Sequence, residues 1–116
     1  MFSFFKNIFN FFSFKGTLHS SSNKGDIEAV KKYLDVGVSV NSKKWGVPPL
    51  ALAAIRGHKE VAELLISKGA NVNWFNIEGR TILDLVVQLK RKDEMVKILR
   101  RHGGKTFDEL KAEGLI

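Results

Sequence analysis

Apolar positions in this chain fall into short helical stripes that end at glycines. Pro49 sits where proline favours the first turn of a helix, and Leu50, Ala53 and Ala54 follow at helical spacing until Gly57 stops them. A second helix is predicted from about Lys59 to Lys68, with Val61, Leu64 and Leu65 on one face and Gly69 as its terminator. Further on, Ile82, Leu83, Leu85, Val86 and Leu89 predict one helix, and Val96, Ile98 and Leu99 predict another. Asp93 and Glu94 open that last helix and Arg100 and Arg101 close it, the order that complements a helix dipole. Thr106-Phe107-Asp108-Glu109 has the spacing of a capping box, so a short terminal helix is expected there.

The stripes repeat. Gly25 returns as Gly57, Gly37 as Gly69 and Asn41 as Asn73, all at one common spacing, and Gly46 returns as Gly79 at nearly the same interval. The end of the later helix, Ile98-Leu99-Arg100-Arg101-His102-Gly103, parallels Leu64-Leu65-Ile66-Ser67-Lys68-Gly69. A period of about 33 residues is the signature of a stacked-repeat architecture. Two helices per unit cannot bury their apolar faces alone, so stacking must supply the core.

Pro49-Leu50-Ala51-Leu52-Ala53-Ala54, Gly57-His58, Glu60-Val61, Leu64-Leu65 and Gly69-Ala70-Asn71-Val72-Asn73 together resemble the ankyrin repeat. Leu18-His19 matches the family's Thr-Pro-Leu-His opening in a first copy, and Thr81, Leu83 and Asp84 match a last-copy variant. Pro48 stands where Thr is usual, Ala51 and Asp84 replace the His, and the third copy carries one extra residue between Val87 and Glu94. The resemblance covers roughly Thr17 to Gly103. It implies an all-α ankyrin-repeat solenoid of helix-turn-helix units with β-hairpin-like loops, and a non-enzymatic protein-binding role. The expected organisation is an amphipathic Phe-rich helix over 1–16, a repeat domain over 17–104 (units near 17–44, 45–77 and 78–104) and a short helix within 105–116.

Composition narrows the function further. Cysteine is absent, which removes disulfides, thiolate catalysis and cysteine metal sites and fits a reducing, cytoplasmic compartment. No apolar run approaches the ~20 residues that span a bilayer. The net charge of +7 is concentrated in Lys90-Arg91-Lys92 with Lys97, Arg100 and Arg101, against Asp93 and Glu94, and is otherwise spread over every copy. That distribution reads as a solvated face, and no zinc-finger spacing, ribonucleoprotein aromatic signature or basic zipper accompanies it, so nucleic acid is not the expected partner.

Candidate chemistry is sparse. Gly104-Lys105-Thr106 ends like a phosphate-binding loop, but Leu99 stands where that motif needs its first glycine, and a helix precedes it instead of a strand. His19, His58 and His102 have no metal-ligand spacing and occupy repeat positions that hydrogen-bond to neighbouring turns. Asp26 and Asp84 read as turn and cap residues. No catalytic residue, cofactor, metal or small-molecule substrate is expected.

Two segments depart from what folding of a repeat requires. The hairpin between Asn73 and Gly79 carries Trp74-Phe75-Asn76-Ile77-Glu78, where such repeats have small and charged residues, and Trp45 in Lys43-Lys44-Trp45-Gly46 extends the same candidate surface. Large apolar side chains at an exposed tip are the type enriched at interface centres, so Trp45, Trp74, Phe75 and Ile77 are the expected protein-binding residues. The competing expectation is that Trp74 or Ile77 folds back onto the neighbouring hairpin or helix.

The other segment is residues 1–15. Apolar residues at 1, 2, 4, 5, 8, 9, 11 and 12 alternate with Ser3, Lys6, Asn7, Asn10 and Ser13 at a helical period. Seven phenylalanines of roughly 150–250 Å² each would present an apolar surface of order 1,000 Å², beyond what soluble monomers show. A secretory signal is disfavoured because a basic leader and small-residue cleavage site are missing. The remaining covers are the first repeat, a partner's groove and a membrane interface, with Phe2, Phe5, Ile8, Phe9 and Phe12 as attachment residues. Ser20, Ser21 and Ser22 are small enough for a helix to approach, but they also read as the polar, water-facing surface of a terminal repeat. The expectation is an adaptor or accessory subunit of a larger assembly, binding another protein, with a peripheral membrane protein anchored by residues 1–15 as the competing class.

Overall fold

The computed structural model describes residues 17–90 and 93–116. They form seven helices: α1 (Leu18–Lys24), α2 (Ile27–Asp35), α3 (Pro49–Arg56), α4 (Lys59–Ser67), α5 (Ile82–Gln88), α6 (Asp93–Arg101) and α7 (Phe107–Ala112). Helices α1, α3 and α5 stack in one row and α2, α4 and α6 in a second, with each antiparallel pair closing one repeat. Short hairpins join one repeat to the next and carry isolated antiparallel bridges, Lys44 with Val47 and Phe75 with Thr81.

Local chemistry sets the helix ends. Thr17, Thr81 and Thr106 cap α1, α5 and α7 with reciprocal capping boxes, and Pro49 occupies the first turn of α3. Within each of the first two repeats the turn between helices uses a left-handed glycine, Gly25 and Gly57, both at φ 78° and ψ 22°. Gly25 is constrained twice, because a Cβ there would stand 2.5 Å from Nδ1 of His58. The third repeat has Lys90 at the position equivalent to Gly57, and Lys90 is forced to φ 57°. An L-residue in that region costs roughly 1–2 kcal/mol.

The repeated positions build one continuous core. Leu18, Leu50 and Leu83 are equivalent and buried, as are Tyr33, Leu65 and Leu99 in the second row. Ser21 and Ser22 occupy the places of Ala53 and Ala54, and all four are buried. This corrects the reading of the serines as a water-facing surface. Their size, not their polarity, is what the position selects, and the Ser22 hydroxyl is satisfied by donating to the Leu18 carbonyl at 2.7 Å.

Successive repeats are tied through asparagine. Asn41 Nδ2 donates to the Gly69 carbonyl at 3.0 Å while its Oδ1 accepts from the Asn71 amide at 2.8 Å. Asn73 does the same one repeat later, to the Gly103 carbonyl at 3.0 Å and from the Lys105 amide at 2.8 Å. The carboxamide is the one neutral side-chain group that offers donor and acceptor at this separation. His58 adds a further tie, with Nε2 2.8 Å from the Asn23 carbonyl of the first repeat.

Asn73→Ala leaves a carbonyl and an amide without their partner and should lower stability by about 1–3 kcal/mol in urea denaturation. An unchanged midpoint would show that water replaces the carboxamide without loss.

Candidate functional site

The first finger is a two-residue hairpin. Lys44 and Val47 exchange both backbone hydrogen bonds, at 3.1 and 3.0 Å, and the two residues between them have positive φ, Trp45 at 57° and Gly46 at 76°. Positive φ at both central positions defines a type I′ turn, which favours Asn or Asp followed by Gly. Tryptophan is a costly choice there, and its side chain gains nothing from the fold in return: Trp45 is 93% exposed. Lys43 and Lys44 beside it are exposed as well.

The second finger is built differently. Asn76 Oδ1 accepts from the Glu78 and Arg80 amides, each at 3.0 Å, and Gly79 closes the turn at φ 73°. Ile77, one repeat after Trp45, is completely exposed at the tip. Phe75 is 40% exposed and meets Phe107 of α7 edge to face, with centroids 5.2 Å apart. Trp74 lies half-buried against the core, the fold-back geometry. The four aromatic and aliphatic candidates therefore separate into two exposed tips, one flank and one support.

Phe107 was not singled out in the sequence as part of this surface. Its ring sits 3.3 Å from where a Cβ on Gly79 would be, and the Lys111 ammonium lies 5.8 Å from its centroid. An aromatic at the first position of a short helix whose other large apolar residue is Leu110 was the available signal. Asp84 Oδ2 accepts from the Phe107 amide at 2.9 Å and the Thr81 amide at 3.0 Å, so this carboxylate seats α7 on the third repeat. Gly79, Arg80, Asp84, Gln88, Phe107 and Asp108 line an open cleft of about 310 Å³ between finger and helix. Arg80 there donates to Gln88 at 3.0 Å and pairs with Glu78 at 3.9 Å.

Below the cleft, α6 and α7 are joined by Arg100, whose Nη1 donates to the Glu109 carboxylate at 2.8 Å. The backbone amide of Thr106, followed by Arg100 and the Thr106 hydroxyl, pulls the Glu109 carboxyl down to about 2. Gly104 is required at this joint because its amide approaches the Leu99 carbonyl at 2.7 Å, where a Cβ would collide with that carbonyl. The Gly104-Lys105-Thr106 segment is thus a helix stop and a cap.

His19 Nε2 lies 2.8 Å from the Ser42 carbonyl, and with His58 it fills a structural place; His102 is exposed at the end of α6. Among the described residues no group of three or more His, Asp or Glu gathers as a metal site, and no helix is long and apolar enough to cross a membrane. Phe2, Phe5, Ile8, Phe9 and Phe12 lie outside the described residues, as do Arg91 and Lys92 of the basic run.

Residues 18–109 match the family of ankyrin repeats, in three copies. The chain belongs to the ankyrin-repeat family. Ankyrin repeats are typically non-enzymatic protein-interaction modules. Similar proteins include Ankyrin repeat and SOCS box protein 11 of Mus musculus, 41% identical over 61 residues, covering 53% of this chain and 19% of that protein. Serine/threonine-protein kinase 12 of Arabidopsis thaliana is 35% identical over 85 residues, 72% of this chain and 18% of the kinase. Ankyrin repeat, SAM and basic leucine zipper domain-containing protein 1 of Eulemur macaco macaco is 32% identical over 81 residues, 69% of this chain and 17% of that protein. The chain spans about a fifth of the length of these curated relatives.

Trp45→Asn places a residue that tolerates the left-handed region ahead of Gly46 and should raise stability by roughly 1 kcal/mol in thermal melting. A lower melting temperature would show that the indole contributes to the fold after all. Glu109 has a folded pKa below its unfolded value of 4.5, so its contribution is complete above that pH and is lost as pH falls towards about 2. Its carboxyl resonance should titrate near 2 and move upward in Arg100→Gln, whereas a midpoint near 4.5 in the parent chain would refute the bridge.

Proposed function

We propose that this ankyrin-repeat chain is a non-enzymatic adaptor or accessory subunit that recognises its protein partner through the two fingertips. Trp45 and Ile77 form the front of the surface, Phe75 its flank, and Trp74 supports it from beneath. The observation that carries the reading is Trp45, almost fully exposed on a turn position that disfavours it. A large aromatic held at a conformational cost and left without intramolecular contact is what an interface anchor looks like before its partner arrives. The placement that goes with this reading is cytoplasmic.

The apolar pattern of residues 1–15 supports a second contact, with Phe2, Phe5, Ile8, Phe9 and Phe12 entering a groove of the same assembly. The alternative reading makes this segment a membrane attachment that leaves the repeats to present the fingers. Flotation with liposomes in the absence of other protein separates the two, since binding to lipid alone favours attachment to the membrane.

Cross-linking of the full chain in cells, read by mass spectrometry, should recover a partner set that Trp45→Asn and Ile77→Asp both lose. With a purified partner each substitution should weaken binding by about 2 kcal/mol, near thirtyfold, while melting stays at or above that of the parent. Affinity retained in both variants would remove the fingertips from the interface.

A further inference from the structure

We infer that the first finger docks on an acidic protein segment carrying an apolar socket: Trp45 fills the socket, and Lys43 and Lys44 meet carboxylates at its rim. The inference rests on the fingertip reading and names the chemistry of its partner. Between Asp35 and Glu60 the chain contains no carboxylate, and Lys43, Lys44, Arg56 and Lys59 give that stretch an uncompensated positive charge. Among the described residues the ion pairs join Glu28, Glu63, Glu78, Glu109 and Glu113 to other cations, and none engages Lys43 or Lys44. Ammonium groups next to an exposed indole steer an acidic surface inward and fix its orientation, while the indole supplies the desolvated contact.

The second finger limits what that partner is. Its tip carries Glu78 paired with Arg80, and Asp108 is exposed beside the cleft at its base. A uniformly anionic membrane pressed against both tips would bring Glu78 to the lipid phosphates, whereas a protein segment places its acidic residues at the first finger and neutral or apolar ones at the second. Electrostatic complementarity therefore selects a protein segment of uneven charge over a lipid surface.

The test is selection of randomised peptides displayed on phage against the immobilised full chain. Enriched peptides should combine Asp or Glu with a large apolar residue. Their synthetic forms should lose about thirtyfold in affinity with Trp45→Asn and about tenfold with the double variant Lys43→Glu, Lys44→Glu. The equal charge change Lys32→Glu with Lys97→Glu, on the exposed faces of α2 and α6 and outside the carboxylate-free stretch, should leave affinity within about twofold, because rim charges act locally at physiological salt. Trp45→Asn should fold at least as well as the parent, because asparagine tolerates the left-handed turn position, and melting of each variant separates lost binding from lost fold. Enriched peptides that lack acidic residues, or that bind the lysine double variant undiminished, overturn the inference and leave the fingertip reading standing if Trp45→Asn still abolishes binding. Binding of the chain to phosphatidylcholine vesicles containing phosphatidylserine that depends on Trp45 overturns it in favour of a membrane. Peptide binding that survives both Trp45→Asn and Ile77→Asp overturns the fingertip reading itself, and enrichment of no peptide counts against both.

Discussion

The carboxamides of Asn41 and Asn73 each donate to a glycine carbonyl and accept from an amide in the next repeat, and this reciprocal pair fixes where the chain passes from one unit to the next. Stacking of Leu18, Leu50 and Leu83 supplies the apolar drive, but burial is indifferent to small sliding. The directional bonds remove that freedom. Because the asparagines lie just before or at the base of a hairpin, they also set the direction in which each finger leaves the stack. His58 performs a related task on the opposite side, holding the second repeat to the Asn23 carbonyl over a glycine that leaves no room for a Cβ.

Among the described residues two occupy the left-handed region without being glycine, Trp45 and Lys90, and their settings differ. Lys90 stands at a helix stop where the first two repeats have Gly25 and Gly57, so its conformation is imposed by the repeat geometry. Trp45 stands at a hairpin tip where many small polar residues would fold with less strain. The second finger reaches a comparable exposure at Ile77 without this strain, because Asn76 and Gly79 perform the turn and Phe107 braces it from α7. The fingers are thus two different devices on one frame, one braced and of mixed charge, the other unbraced and basic.

The frame was legible because its signals are local: Pro49 at a helix start, Gly57 and Gly69 at helix ends, and the Thr106 capping box all act within a few residues. The exchange of hydrogen bonds by Asn41 and Asn73 was visible only as a recurrence of asparagine at the repeat period, since the partner atoms are backbone groups that carry no sequence identity. Ser21 and Ser22 misled because polarity and size point in opposite directions for serine, and a close helix approach selects on size. At the fingers the sequence marked the aromatic residues but not their division of labour. Trp74 and Phe75 are neighbours in the chain, yet strand-like alternation sends one towards the core and the other towards Phe107.

Native-state hydrogen exchange tests the role of the asparagine pairs most directly. If they fix the joint between repeats, the amides of Asn71 and Lys105, bonded at 2.8 Å to Asn41 and Asn73, should exchange nearly as slowly as the core helices, and the Trp45 amide at the free tip should exchange fast. Asn71 and Lys105 exchanging as fast as Trp45 would show that the carboxamides follow the stack and do not hold it.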